Sequence, residues 1–427
     1  MANRKDARNS DMTKLLQNNL PAELLEVLHE TGELADELGQ KLFLVGGVVR
    51  DLLLGRPSLD LDLVVEGEAI KLAAVLAERY PGRWVAHRRF GTAKLRHGGW
   101  SLDLATARSE SYSRPGALPT VRPGAIQEDL FRRDFTINAM AVHLEPAHYG
   151  KLLDPHGGKP DLKAGLIRIL HQKSFMDDAT RMFRALRYEQ RLGFKLEQST
   201  ESRLRQDVAL LDTISGDRIR HELELILKEE HPELVLRRAE ELGLLAALHP
   251  GLSGDGWLAE KFIQARRCCH SAPRLVSLYL ALLVYPLNKT GVERFIQRIN
   301  PPTNLANALR DTMRLKGQQY SLKTEELAPS ALYHLLEGYS PEAIQAYALA
   351  TSSKRAKERL ELYLNKLRHV KPSLNGDDLL PLGVRPGPRM GQILQVLQDA
   401  RLDGKVDNEQ QERALVKEWL KKYSTNE

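Results

Sequence analysis

Cysteine is almost missing from this sequence of 427 residues: there are two, and Cys268 and Cys269 are adjacent. Neighbouring thiols supply neither a disulfide framework nor a four-ligand zinc site, so a reducing cytoplasm is the expected home. Long apolar runs are missing as well. No stretch approaches the ~18 uninterrupted apolar residues of a membrane span. The opening Met1-Ala2-Asn3-Arg4-Lys5-Asp6 has no apolar centre of the kind a signal peptide needs. Neither a G-x-x-x-x-G-K-[ST] phosphate loop nor a G-x-G-x-x-G dinucleotide fingerprint occurs, and no internal repeat or low-complexity tract is present. With 42% hydrophobic and 28% charged residues the chain reads as an ordinary globular protein. Its length exceeds what one core accommodates, so two or more units are expected. Lys and Arg total 62 against 56 Asp and Glu, a net charge of +6. That modest excess tilts the odds toward a polyanionic partner, and its placement matters more than its size.

The first 170 residues or so alternate in type. Leu42-Phe43-Leu44-Val45 is a short apolar run ending in Gly46-Gly47, and Val48 to Leu54 suits a helix closed by Gly55. Residues 59–65 (LDLDLVV) alternate with period two, as a half-buried strand does. A helix follows at about 67–79, then strand-like runs at 83–87, 92–97 and 100–106. From about Ser174 onward long patterns rich in Leu, Arg and Glu take over, broken at Ser271-Ala272-Pro273, Asn300-Pro301-Pro302 and Lys371-Pro372. An α/β head with a long helical body is the coarse picture.

Side chains at i and i+2 of a strand leave the same face. Asp60 and Asp62 therefore project together while Leu59, Leu61 and Leu63 turn inward. Adjacent carboxylates repel unless a cation lies between them, and hard oxygen ligands suit Mg²⁺. Alone, such a pair is most often a solvated strand face. Upstream, Gly46 and Gly47 lie where a strand turns into a helix, a place where backbone approaches a ligand closely and phosphate is favoured. Arg50 follows three residues later, within reach of the same phosphates. Together these features make nucleotidyl transfer the simplest reading. Two ions are expected: one to activate an attacking hydroxyl, one to steady the leaving pyrophosphate.

The run from Gly46 to Arg56 (GGVVRDLLLGR), followed by Asp60-Leu61-Asp62, resembles the first motif of the class II tRNA nucleotidyltransferases. This is the CCA-adding family, which shares its catalytic head with bacterial poly(A) polymerases. The resemblance extends over nearly the whole chain and implies an α+β fold. A polymerase-β-like head with a small mixed sheet spans 1–165, a helical neck 166–230, a body 231–353 and a tail 354–427. It also implies ATP, CTP or both as substrates and tRNA as partner, gripped at acceptor stem and elbow.

Arg132-Arg133-Asp134-Phe135-Thr136-Ile137-Asn138 resembles the family's second motif, which holds ribose and phosphates. Arg133, Asp134 and Asn138 are the nucleotide-binding candidates there. Read bare, the segment is an amphipathic turn with a local salt bridge. Asp103, in the alternating strand Leu102-Asp103-Leu104, is a candidate third carboxylate, against the plain alternative of a solvent-facing hairpin residue. The segment from Asp154 to Leu162 resembles a third motif of mainly structural role, with His156 as a hinge hydrogen bonder. After Ser174, the charges Asp178, Arg181, Arg184 and Arg187 recur at three-residue spacing, as on a salt-bridged helix surface. Asp177-Asp178-Ala179-Thr180-Arg181 resembles the family's E-D-x-x-R templating motif, in which protein side chains select C or A. Asp accepts from an exocyclic amine and Arg donates to ring acceptors. Asp177 replaces the usual Glu, so only Asp178 and Arg181 carry over. The segment from Ser215 to Leu223 resembles a fifth motif that braces the neck through Arg220 and Glu222.

Lys354 to Lys371 is strongly basic, including Lys354 and Arg355. The segment from Gly383 to Gly391 presents Arg385 and Arg389 before a helix. A basic helix is commonly a solvated face, but in an RNA-gripping protein it is a phosphate track. The stretch Arg108 to Pro119 departs from the D-G-R-R-P-like run of full CCA-adding enzymes. It is closer to the A-adding enzymes, whose partner is a separate CC-adding enzyme. Poly(A) polymerase is the alternative, disfavoured by the lack of an extended basic tail. A non-catalytic RNA-binding protein and a small-molecule nucleotidyltransferase are the rivals from other classes.

Overall fold

The computed structural model describes residues 11–56, 59–269, 271–324 and 326–424. The polar N-terminal hexapeptide lies outside them. Two compact units emerge: one runs through Glu222 and includes Glu241–Ala247, and the other holds Leu223–Glu240 and the chain from Leu248 onward.

In the first unit, helices α1 (Thr13–Asn19) and α2 (Ala22–Glu37) precede strand β1 (Lys41–Val45), α3 (Gly47–Leu53), β2 (Asp60–Glu66) and α4 (Ala69–Arg79). Then come β3 (Arg83–His87), β4 (Thr92–His97), β5 (Trp100–Thr106), β6 (Arg108–Ser111), β7 (Thr120–Pro123), α5 (Ile126–Phe131), β8 (Ala141–His143), β9 (Leu152–Leu153) and α6 (Gly158–Ala164). Seven strands form one mixed sheet in the order β3-β4-β5-β2-β1-β8-β9. Within it β2 and β5 run parallel and the remaining neighbours antiparallel. The alternation is realised from Asp60 to Leu63: Leu61 and Leu63 are buried, as are Val64 and Val65, while Asp60 and Asp62 face the open side. Leu59, expected inward, precedes the strand and is 45% exposed. Leu72, Ala73 and Leu76 of α4 are fully buried, the apolar stripe of an amphipathic helix.

The unit continues with β10 (Leu166–Ile167), α7 (Ser174–Asp177), α8 (Arg181–Leu192), β11 (Lys195–Leu196), α9 (Gln198–Asp207) and α10 (Gly216–Leu227), whose last residues, from Leu223, belong to the second unit. Strand β10 pairs in parallel with β11, which returns the chain after α8. No strand follows Leu196 among the described residues. The α+β class, with a small mixed sheet first and helices after it, is the observed architecture.

The second unit is helical, with one core around Leu315, Leu336, Ile344, Tyr347 and Leu360. A smaller core gathers Leu374, Leu379, Ile393, Leu397 and Val416. No described helix is long and apolar enough to cross a membrane. Between helices Pro329–Leu336 and Pro388–Leu402, His334 Nε2 lies 2.7 Å from Asp399 Oδ1, and its Nδ1 lies 3.5 Å from Glu337 Oε2. The hydrogen bond to Asp399 and the two carboxylate charges raise the imidazole pKa above its usual 6.5. A raised pKa stabilises the fold below the unfolded value, and the contribution fades as pH rises through the folded one. Stability is therefore expected to fall slightly between about pH 6 and 8, by well under ~1 kcal/mol because the pair is exposed. Denaturant titrations of the wild type and His334→Gln check this: the variant's curve is flatter across the window.

Candidate active site

Parallel pairing sets Asp60 opposite Ser101 and Asp62 opposite Asp103, so the sheet presents three carboxylates on two neighbouring strands. Ser101 Oγ donates to Asp60 Oδ1 at 2.5 Å. Lys94, paired with Asp103 across β4 and β5, places Nζ 2.6 Å from Asp103 Oδ2. Partial desolvation raises the Asp62 pKa; Arg133 opposes the shift, while Asp103 and Asp60 add to it. Lys94 opposes the shift as well, so burial is its main cause and the neighbouring carboxylates add to it. The three groups do not converge into one ready ligand cluster among the described residues; Asp103 is paired with Lys94 and Asp60 with Ser101.

Gly46 turns the chain from β1 into α3 with φ 75° and ψ −137°, a conformation that L side chains rarely adopt. A Cβ at this position would also lie 2.6 Å from Arg133 Nη1. The glycine therefore lets an arginine from the second motif rest against the first. Gly47 faces the cavity.

Arg50 behaves differently from expectation. Its side chain is 4% exposed, with Nε and Nη2 each 2.8 Å from Asp51 and Nη1 2.6 Å from Asn138 Oδ1. Its guanidinium carbon lies 5.1 Å from the Tyr188 ring centre. Arg50 is thus a buried strut joining the two motifs, and it has no face on the cavity beside them.

Arg133 reaches Asp129 Oδ2 through Nη2 at 2.9 Å and lines the cavity. Asp134 is buried and takes Arg184 Nε at 3.0 Å and Nη2 at 2.6 Å on one oxygen. Its other oxygen accepts from Asn138 Nδ2 at 2.9 Å and the Phe135 amide at 2.8 Å. Burial alone would raise its pKa; Arg184 and Asn138 outweigh burial and lower it.

The four charges at three-residue spacing are not on one helix. Asp178 has an extended backbone (φ −147°, ψ 101°), and α8 begins at Arg181. The Asp178 carboxylate accepts from Thr180 N and Oγ1 at 3.0 and 2.7 Å. This local turn competes with helix continuation, as short Asp side chains do. The other oxygen is 2.7 Å from Arg218 Nη2. Arg181 is buried, donating to Ser174 Oγ at 2.8 Å and the Arg132 carbonyl at 2.6 Å. Arg187 points to Glu222 at 3.8 Å.

A cavity of about 780 Å³ lies among these groups, lined by Gly47, Asp62, Arg133, Asp134, Asn138, Asp178, Arg181, Arg184, Tyr188, Arg218 and Glu222 among others. That volume suits a nucleotide. Gly46, Arg50, Asp60, Asp103 and Arg187 do not line it. Tyr188 escaped the sequence reading, although it sits four residues after Arg184 and seven after Arg181 on the same helix face. Three arginines, Arg50, Arg184 and Arg187, lie 5.1 to 5.7 Å from its ring centre. Arg218 was hidden inside a segment read as a brace, and no local spacing links it to Asp178. Glu110 was equally inconspicuous: it joins Arg108 and Arg132 through Oε1 and takes the Tyr112 hydroxyl on Oε2 at 2.8 Å.

In the second unit Lys354, Arg355, Arg385 and Arg389 are exposed. The basic helix Lys354–Asn365 is partly neutralised from within: Lys354 and Lys357 each face a glutamate four residues on at 3.9 Å. Arg359 Nη1 caps the carbonyls of Leu322 and Thr324 at 2.9 and 2.8 Å.

A mixed sheet bearing strand carboxylates beside a glycine turn, with an arginine-walled cavity next to them, defines a polymerase-β-like nucleotidyltransferase head. Family comparison agrees: residues 42–168 match the "Poly A polymerase head domain". Residues 193–255 match a "Probable RNA and SrmB- binding site of polymerase A", and residues 276–417 match tRNA nucleotidyltransferase domain 2. An A-adding tRNA nucleotidyltransferase of Halalkalibacterium halodurans is 36% identical over 96% of both chains. One from Geobacter sulfurreducens is 35% identical over 96% of this chain, which spans only 48% of that longer protein. The solved Thermotoga maritima CCA-adding enzyme complexed with tRNA is 33% identical, with a TM-score of 0.75 over 96% of this chain and 99% of that one. The chain belongs to the class II tRNA nucleotidyltransferase family, the CCA-adding and A-adding enzymes, and is an RNA nucleotidyltransferase.

Proposed function

We propose that this protein adds the terminal A to tRNA ending in C-C, transferring AMP from ATP to the 3′-hydroxyl with release of pyrophosphate. The observation that carries the nucleotide choice is the anchoring of the segment after β5. Glu110 ties it to Arg132, and Gly116 (φ 74°) packs so closely that a Cβ there would lie 2.2 Å from the Thr213 carbonyl. A loop fixed at both places is poorly suited to switching between C and A, which supports a single nucleotide. The full-length likeness to an A-adding enzyme supports the same reading.

The site chemistry divides by element. Asp60 and Asp62, with Asp103 once released by Lys94, are hard oxygen donors whose mutual repulsion fits Mg²⁺. When bound, two such ions supply activation of the attacking hydroxyl and charge relief at the leaving pyrophosphate. Arg133 and the amides at Gly47 meet phosphate oxygens. Asp134 aligns Arg184 and Asn138 along the cavity wall. Asp178 and Arg181 line the cavity; by giving up Arg218, Asp178 accepts from the adenine amine, and by exchanging its contact with Ser174 or Arg132, Arg181 donates to a ring nitrogen, the complementary pattern for that base. We assign catalysis to residues 1–165, base choice to 166–230 and backbone grip on tRNA to 354–427, through Lys354, Arg355, Arg385 and Arg389. The reaction belongs in the cytoplasm, downstream of a separate CC-adding enzyme.

The test offers tRNA transcripts ending before C-C-A, after C and after C-C, each with CTP, ATP or both. Extension of only the C-C-ending transcript, by ATP, is expected. Extension of all three with both nucleotides identifies a full CCA-adding enzyme instead and overturns the single-nucleotide reading.

A further inference from the structure

At the far end of β8 the sequence His143-Leu144-Glu145-Pro146-Ala147-His148 folds three potential ligands together. His143 and Glu145 stand two apart at the strand end. Pro146 starts a short 3₁₀ turn, Pro146–His148, closed by the His148 amide donating to the Glu145 carbonyl at 3.0 Å. The turn brings His148 back over the glutamate. One ligand atom from each of the three residues lies within 4.8 Å of the others, the sole such group of His, Cys, Asp and Glu among the described residues. Glu145 Oε1 sits 2.5 Å from His143 Nδ1 and 3.5 Å from His148 Nδ1. The Phe43 ring packs edge-on against His143 at 4.8 Å and fixes its plane.

A second observation points to a missing ligand. Glu145 is 6% exposed, and its Oε2 is buried with no hydrogen-bond partner among the described residues. A carboxylate oxygen left bare in the interior is costly, and such groups call for a water or an ion. The fold around it is fixed: the Leu144 amide is bonded to Leu42, and a Cβ on Gly32 of α2 would lie 2.0 Å from the Leu144 carbonyl. The site cannot relax away from the neighbouring helix.

We propose that His143, Glu145 and His148 form a three-ligand site for a divalent transition metal of the zinc class, separate from the catalytic carboxylates. Two imidazoles and one carboxylate suit Zn²⁺ rather than Mg²⁺, which prefers an all-oxygen shell. An ion about 2 Å from each donor holds the donors about 3.3 Å apart. For the ion to enter, the 2.5 Å contact between His143 and Glu145 opens by rotation of the Glu145 carboxylate; the half-exposed His148 ring turns to meet the ion, and its exposure leaves the fourth position to water. The ion would pin the Pro146–His148 turn to the end of β8.

The test titrates zinc sulfate into the chelator-treated, full-length protein by calorimetry, with excess MgCl₂ present to occupy the catalytic carboxylates. One equivalent of zinc is expected to bind and to raise the melting temperature. His148→Ala, an exposed position whose loss leaves magnesium-supported nucleotide addition unchanged, is expected to weaken zinc at least ~10-fold, and His143→Gln likewise. Asp60→Ala/Asp62→Ala is expected to bind zinc as the wild type does. Absence of zinc binding above the magnesium background overturns the proposal. So does undiminished binding by both histidine variants, or loss of binding in the aspartate variant.

Discussion

Replacing Asp60 and Asp62 together by Ala is expected to abolish nucleotide addition, by at least ~10³-fold, while tRNA binding stays near the wild-type level. Metal ions at such sites supply several kcal/mol of transition-state stabilisation, and each 1.36 kcal/mol is a factor of ten. Both side chains face the open side of β2, and the apolar residues that hold the strand in the sheet are their neighbours Leu61 and Leu63. The fold therefore survives the change. Removing the pair also removes the repulsion that contributes to the raised Asp62 pKa, so stability is unchanged or slightly higher. Single-turnover extension of a C-C-ending transcript, filter binding with the same RNA and a thermal melt separate the three effects. Activity within tenfold of wild type would place the chemistry elsewhere.

The second large effect belongs to Asp134. Its carboxylate is buried and holds Arg184 through two donors, Asn138 through its amide and the Phe135 backbone. Asp134→Ala leaves the Arg184 guanidinium without its counter-charge in a region that already holds Arg50 and Arg187 around Tyr188. Breaking a buried pair from one side costs about 3–5 kcal/mol. The variant is expected to lose that much stability and, because Arg184 and Asn138 lose their alignment, to bind ATP far more weakly. Adding Arg184→Met should restore part of the stability by removing the stranded charge, without restoring activity. Denaturant titrations of the two single variants and the double measure the coupling. Additive losses would mean that the pair does not act as a unit.

How much of this was legible in the sequence depended on how local each signal was. The β2 alternation, the glycine turn and the helical periodicity after Ser174 are short-range patterns, and the structure follows them closely. Arg50 was misread because spacing shows reach and not commitment: Asp51 is its neighbour, but Asn138, its other acceptor, is 88 residues away. The Asp178–Arg187 series looked like one helix because three-residue spacing continues through Asp178. The competing bonds from Thr180 that end the pattern are side-chain chemistry that periodicity does not see. Arg218 meets Asp178 across 40 residues, and Lys94 meets Asp103 across a strand pairing. Both contacts exist only once the chain is folded. Tyr188 shares the helical period of Arg181 and Arg184, but a lone aromatic carries no charge pattern, and its role shows only when Arg50, Arg184 and Arg187 gather around its ring. The short pairings of β6 with β7 and β10 with β11 carry too few residues for alternation to declare them.

The most direct measurement supplies ATP labelled at the α-phosphate to a tRNA ending in C-C and counts both products. One AMP joined per tRNA, one pyrophosphate released and no further growth is the predicted result. A ladder of added adenylates, or no transfer of label at all, would contradict the assignment of this site to terminal A addition.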